Sequence, residues 1–187
     1  AYLIPAIDFA INNSERVVVS TNTISLQEQL INKDIPFLQQ ILPYEFKAVL
    51  VKGRSNYLCQ RRLENLITFE RELFESKDEV DDLVRIHQWS AETKDGSLSD
   101  LNPQPRMSVW NRVCSERDMC LGPALCSHAK ECFYQKARNK IASSHVLVVN
   151  HHLLFSDLSL RKNFPGFSVL PGYKYLVIDE AHNIENA

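Results

Sequence analysis

Two groups of residues have types and spacings suited to chemistry: the tetrapeptide Asp179-Glu180-Ala181-His182, and the cysteines Cys59, Cys114, Cys120, Cys126 and Cys132. The acidic pair directly follows Tyr175-Leu176-Val177-Ile178, a short apolar run of the kind that forms a buried strand. Ligands of open α/β sheets bind beyond the carboxyl ends of the strands, so the pair stands where a nucleotide would be met. Successive residues leaving a strand point to different sides. One carboxylate can therefore hold Mg²⁺ through its waters while its neighbour orients and deprotonates an attacking water. A bare Asp-Glu dipeptide would read as a solvated turn; the full tetrapeptide after a buried strand favours nucleotide hydrolysis.

Cys114, Cys120, Cys126 and Cys132 recur every six residues. On one helix each thiol would be turned about 240° from the last, so a single helix cannot gather them. Gly122 and Pro123 break the segment, and a loop can fold the later thiols around one centre, with Cys59 arriving from elsewhere. Zinc usually takes cysteines in close pairs, and the gaps of five residues here disfavour a zinc knuckle. An iron–sulfur cube is wider than one ion and tolerates the spacing. Buried free cysteines are the purely structural alternative. An odd number of cysteines, four of them within nineteen residues, fits metal ligation in a reducing compartment better than a secreted disulfide framework.

The elements that must position these groups alternate. Residues 2–10 read as a buried helix ending at Asn12-Asn13, and residues 16–20 as a β-branched buried strand. Polar Ser20-Thr21-Asn22-Thr23 then leads into a helix over 25–30. Strands are expected at 46–51, 145–149 and 175–178, with a helix over 133–138. This alternation implies a parallel α/β sheet. From Gly53 to about Glu116 the chain is polar and charged, with turn signals at Lys94-Asp95-Gly96-Ser97 and Asn102-Pro103-Gln104-Pro105 and a helical stretch over 63–89. It reads as an insertion too polar to hold a core of its own. Residues 156–172 read as a variable segment.

At 187 residues and 44% apolar composition, the chain can bury a sizeable core. A net charge of -2 advertises no global affinity for nucleic acid, so any such surface must be local. Residues 52–62 carry four basic groups and no acid, whereas residues 70–82 carry seven acids against Arg71 and Lys77. Basic groups beside the aromatic Tyr57 suit single-strand binding through backbone attraction and base stacking; a solvated basic loop is the plainer reading. No run is long enough to cross a membrane and no signal peptide is visible, which places the chain in the cytoplasm. His87 and His128 read as ordinary surface or core histidines.

Asp179-Glu180-Ala181-His182 resembles the DEAH box of superfamily 2 helicases. The resemblance implies that Asp179 is the magnesium-associated carboxylate, Glu180 the catalytic base, and His182 a link between nucleotide state and a second motor domain. Ser20-Thr21-Asn22-Thr23 with the following helix resembles motif Ia, which implies phosphate contacts to single-stranded DNA from Ser20, Thr21, Asn22 and Thr23; alone it would be a polar helix cap. Lys52-Gly53-Arg54-Ser55-Asn56-Tyr57-Leu58-Cys59 resembles the segment entering the cluster domain of DinG/XPD-type iron–sulfur helicases. The later cysteines, Phe133-Tyr134-Gln135-Lys136-Ala137-Arg138 and Asn150-His151-His152-Leu153-Leu154 are similar to that family's return to the motor.

The implied architecture is a partial RecA-like parallel-sheet motor domain, at 1–52 and 141–187, with an inserted, mainly helical cluster domain at 53–140. The implied activity is ATP-dependent, 5′ to 3′ DNA unwinding, with single-stranded and forked DNA as partners and a monomeric protein. The ligands of a [4Fe-4S] cluster would be Cys59, Cys120, Cys126 and Cys132, with Cys114 spare; the even spacing also lets Cys114 replace Cys120. Lys52, Arg54, Tyr57 and Arg61 are the candidate DNA contacts beside the cluster, which could also act as a redox switch. His151 and His152 become structural or coupling residues. No Gly-x-x-x-x-Gly-Lys-Ser/Thr loop occurs, and residues 1–6 resemble the helix that follows such a loop, so this stretch is expected not to hydrolyse ATP by itself. The alternative from another class is a zinc-stabilised nucleic-acid-binding module without motor activity.

Overall fold

The computed structural model describes residues 2–69, 74 and 76–186; residues 1, 70–73, 75 and 187 lie outside it. The chain divides into two compact units, one of Ala1–Lys52 with Lys140–Ala187 and one of Gly53–Asn139.

The first unit is built on four parallel strands: β1 (Val17–Thr21), β2 (Ala48–Leu50), β3 (Val146–Asn150) and β4 (Tyr175–Ile178), in the order β2-β3-β1-β4. β1 lies between two partners and all five of its residues are buried, as its β-branched run requires. Burying each of its valines is worth about 1.5–3 kcal/mol. Helix α1 (Leu3–Asn12) lays Leu3, Ala6, Ile7 and Ala10 against this sheet, a spacing of three and four residues that aligns them on one face. The opposite sheet face packs Val18, Leu147 and Val149 with Leu154 and Leu170.

The helix after β1 runs further than its polar start announces. α2 (Ile24–Gln29) passes through a π turn (Leu30–Asp34) into α3 (Ile35–Ile41). Pro36 falls directly after the π turn, where its missing N–H takes one bond out of a continuous helical run.

The second unit corrects the expectation of an insertion without a core. In it α4 (Gln60–Phe69), α5 (Lys77–Glu92), α6 (Met107–Val113) and the start of α8 (Phe133–Ala142) surround a cluster of Tyr57, Leu58, Leu63, Leu66, Leu83, Ile86, Leu101, Val109, Trp110, Val113, Cys114 and Phe133, while the one-turn α7 (Gly122–Leu125) buries none of its residues. Helices α4 and α5 each contribute a narrow stripe, Leu63 with Leu66 and Leu83 with Ile86, inside a charged sequence, and average polarity conceals such stripes. The single helix expected over 63–89 is two: Phe74 and Ser76 belong to neither, and residues 70–73 and 75 of that expectation lie outside the described residues. Gly96 has φ of +63°, and a Cβ there would meet the Phe133 ring at 2.2 Å, so this turn needs glycine twice over.

Arg106 ties α5 to the start of α6. Its backbone N–H and guanidinium both donate to Asp82, at 2.9 and 3.0 Å, and its other arm reaches Asp78. Burial would raise the Asp82 carboxyl, but these donors and Arg85 hold it below its ordinary range.

A second correction concerns residues 156–172, because α9 (His151–Asn163) occupies the first half of that segment. The remainder is pinned by Asp157, a fully buried carboxylate that accepts hydrogen bonds from the N–H groups of Val169 and Leu170 at 2.6 and 2.9 Å and from Arg161 at 2.6 Å. Asp157→Ala should therefore cost about 2–4 kcal/mol in urea denaturation, because a buried N–H, a half-buried N–H and a guanidinium lose their acceptor. A loss below about 0.5 kcal/mol would mean the segment is held by its apolar contacts alone.

Candidate functional site

Asp179 and Glu180 leave β4 at its carboxyl end, beside the carboxyl ends of β1 and β3. The Asp179 N–H donates to the Ser20 carbonyl at 2.8 Å, continuing the β1–β4 ladder one residue past the strand. Glu180 then turns into the left-handed region with φ of +51°, a conformation uncommon for a residue with a side chain and frequent at functional sites. Its N–H donates to Asp179 Oδ1 at 3.1 Å, and the hydroxyl of Tyr2 donates to Asp179 Oδ2 at 2.8 Å. Burial, and then Asp179, push the Tyr2 hydroxyl well above its ordinary range. Both acids are half-buried and His182 is exposed. Each Asp179 oxygen keeps one acceptor direction, so the donor set suits a hard cation held through water.

The segment after β1 splits in two. Asn22 and Thr23 are exposed, and Thr23 caps α2 by accepting from the Leu26 N–H. Ser20 and Thr21 are fully buried, which corrects the expectation that their hydroxyls face DNA. The Ser20 hydroxyl lies 2.7 Å from His151 Nδ1, while His151 Nε2 is buried with no hydrogen-bond partner. His152 is exposed, as adjacent residues at a helix start must differ. Asn150 caps α9 through the Leu153 N–H.

In the second unit Cys59 and Cys132 stand directly before α4 and α8. Each lies within electrostatic reach of the other. Cys126 ends the one-turn helix α7, and Cys120 is exposed two residues before it. Burial pushes the Cys59 thiol up, outweighing the Arg62 N–H and the Arg61 guanidinium. The Gly122 N–H, helped by Arg54 and Arg61, pulls the Cys120 thiol below its ordinary range. Cys114 is 1% exposed inside the apolar cluster, where burial raises its thiol. Among the described residues, no three His, Cys, Asp or Glu side chains converge closely enough to hold a single metal ion. The chemistry of four thiols at Cys59, Cys120, Cys126 and Cys132, the first two beside N–H and guanidinium groups, fits a thiolate-ligated group.

The expected DNA contacts beside Cys59 are largely occupied. Tyr57 is buried in the apolar cluster, 6.1 Å from Tyr134 between ring centres and edge-on to it, which removes it as an exposed stacking platform. Arg54 lies 4.0 Å over the Tyr134 ring, donates to the Glu116 carbonyl at 3.4 Å and is within electrostatic reach of Cys120. Arg61 donates to the Met119 carbonyl, and Lys52 is half-buried. His128 Nε2 lies 3.1 Å from Glu64. Neither Tyr2 nor the Ser20–His151 pair was visible in the sequence, since the partners are 177 and 131 positions apart and follow no periodicity.

A parallel sheet with an acidic pair at the end of β4 makes the first unit a partial RecA-like motor fold, the class of α/β unit that works on nucleotides. The DEAD_2 family profile matches residues 20–187, and the chain belongs to that family. The chain is 38% identical to the ATP-dependent helicase DinG of Mycobacterium tuberculosis (strain ATCC 25618 / H37Rv), across 98% of the chain and 29% of that protein. It is 36% identical to the ATP-dependent DNA helicase YoaA of Escherichia coli (strain K12), across 98% and 28%. It is 33% identical to a protein of Bacillus subtilis (strain 168) named 3'-5' exonuclease DinG, across 100% and 19%. The chain thus spans less than a third of the length of these relatives. No helix among the described residues is long and apolar enough to cross a membrane.

The thiols should separate by reactivity in the metal-free chain. Exposed Cys120, held low, should alkylate with iodoacetamide at lower pH and faster than Cys59, with buried Cys114 last. Peptide mass spectrometry across a pH series reads the order, and equal onset for Cys114 and Cys120 would contradict the electrostatics described.

Proposed function

We propose that the whole protein is an ATP-dependent DNA helicase moving 5′ to 3′ on single-stranded DNA, with its motor split around the second unit. The observation that carries this reading is the Asp179-Glu180 pair at the end of β4, hydrogen-bonded through Asp179 to Ser20, two residues before the exposed Asn22-Thr23 loop. One short connection joins a nucleotide-type acid pair to a loop able to meet phosphates. In this reading Asp179 supports Mg²⁺, which when bound neutralises charge on the ATP phosphates. Glu180 accepts the proton of the attacking water, and the left-handed turn sets its carboxylate apart from that of Asp179. Exposed His182 carries the change to a second motor domain. Asn22 and Thr23 contact the strand; Ser20 and Thr21 shape the loop from inside.

The second unit is proposed as a [4Fe-4S] domain held by Cys59, Cys120, Cys126 and Cys132, engaging single-stranded and forked DNA. The cluster would supply four Fe–S bonds tying residue 59 to the 120–132 segment. Lys52, Arg54 and Arg61 add positive charge nearby, while Arg54 also orients Cys120. We place the protein in the cytoplasm, as a monomer. Burial of Cys114 among apolar side chains supports its role as the spare thiol.

In full-length protein, Glu180→Gln should lower kcat for DNA-stimulated ATP hydrolysis by about 100-fold or more while leaving ATP binding intact, because only the proton acceptor is lost. Wild-type protein should unwind forks bearing a 5′ tail in preference to a 3′ tail. ATP-independent digestion of a 3′ end, with no unwinding, would sink the helicase reading. Anaerobically purified Cys132→Ser should lose iron and visible absorbance, whereas Cys114→Ser should keep both. Normal iron in Cys132→Ser, or bound zinc in the wild type, would overturn the cluster assignment.

A further inference from the structure

We infer that Tyr2 is a positioning residue for the carboxylate of Asp179, fixing through its hydroxyl the orientation in which that carboxylate meets the magnesium–nucleotide complex; the inference rests on the ATP-hydrolysing function proposed above. The two oxygens of Asp179 are claimed by separate donors, Oδ2 by the Tyr2 hydroxyl at 2.8 Å and Oδ1 by the Glu180 N–H at 3.1 Å. The backbone below is fixed by the bond from Asp179 N–H to the Ser20 carbonyl at 2.8 Å. Three bonds therefore set the position of the residue and the plane of its carboxylate.

The choice of donor matters. A lysine or arginine in this place would form an ion pair and cancel the charge that attracts a cation. A neutral hydroxyl orients the carboxylate and leaves its negative charge, with one acceptor direction free on each oxygen. Tyr2 is also well supported. It stands at the start of α1, whose Leu3, Ala6, Ile7 and Ala10 are buried in the main core, and its ring packs against that cluster. The hydroxyl is thus delivered by a rigid element, as a partner that fixes a metal-side carboxylate must be.

The test uses full-length protein and Tyr2→Phe, which removes the hydroxyl and keeps the ring. Mn²⁺ binding in the presence of a non-hydrolysable ATP analogue, followed by electron paramagnetic resonance, should weaken by about 5–10-fold. The Mg²⁺ concentration that half-saturates ATP hydrolysis should rise by a similar factor. Binding of the analogue without metal, and the melting temperature, should stay as in the wild type. Mn²⁺ affinity of Tyr2→Phe within twofold of the wild type overturns the inference and leaves the ATP-hydrolysing function standing. A wild type that neither hydrolyses ATP nor binds Mn²⁺ with the analogue overturns both. Tyr2→Leu separates ring from hydroxyl: normalised to folded protein, it should weaken Mn²⁺ no further than Tyr2→Phe, and a markedly larger loss would assign the effect to packing and overturn the hydroxyl's role.

Discussion

The parallel pairing of β1 with both β3 and β4 is the constraint on which the first unit depends. Parallel strands must be joined by crossovers, so the chain has to leave the sheet after β1, after β2 and after β3 and return each time to the same starting end. The same pairing sends every chain exit in one direction. Thr21, Asn150 and Asp179, far apart along the chain, leave the sheet at one end because their strands run in register. The acid pair, the Asn22-Thr23 loop and the His151 imidazole are neighbours for this reason and no other. A shift of β4 by one residue would move Asp179 off the Ser20 carbonyl and turn its carboxylate to the opposite face.

The buried contacts at that end are polar, which the strands alone would not require. Ser20 serves two sides at once: its carbonyl takes the Asp179 N–H, and its hydroxyl meets His151. A valine in that position would preserve the ladder and the packing but leave the imidazole with both nitrogens buried and unpaired, at a cost of about 1–3 kcal/mol. The hydroxyl is thus explained by the interior of the unit. The resemblance that points to DNA at this segment is carried instead by the exposed residues immediately following.

Strands were the most legible part of the chain, because runs such as Val17-Val18-Val19 and Val146-Leu147-Val148-Val149 are buried on both faces and leave no periodicity to misread. The acid pair was legible from its own tetrapeptide after an apolar run, although the expected buried strand there is corrected: β4 is an edge strand, with Tyr175 and Leu176 exposed. Helices were less so. α9 buries an aspartate and one of its two histidines, His151, on a helix whose apolar residues do not form a clean stripe, and α6 is seven residues long with a tryptophan as its main anchor. Surface assignments fared worst: Tyr57 looked like a stacking platform beside arginines, yet its ring is in the core. Local composition says which residues are basic or aromatic, and only tertiary packing says which way they face.

The apolar core of the second unit also changes what a thiol-bound group would have to do. Residues 57–59 are already fixed: Ser115 N–H donates to the Tyr57 carbonyl at 2.7 Å, Leu58 N–H to Gly96 at 2.8 Å and Cys59 N–H to Val113 at 2.9 Å. Cys132 is held by the packing of Phe133 next to it. Residues 119–126 are different. Met119, Leu121 and Leu125 are 52%, 49% and 78% exposed, and the segment has one turn of helix. Ordering backbone costs about 1–2 kcal/mol per residue, and side chains left in water offset none of it. The order of this segment falls to its polar ties, the Arg61 bond to Met119, the backbone bonds of Cys120 to Arg117 and Cys126 to Gly122, and the attraction between Arg54 and Cys120. A group gripping Cys120 and Cys126 would therefore organise this segment and leave the helical core to fold on its own apolar contacts.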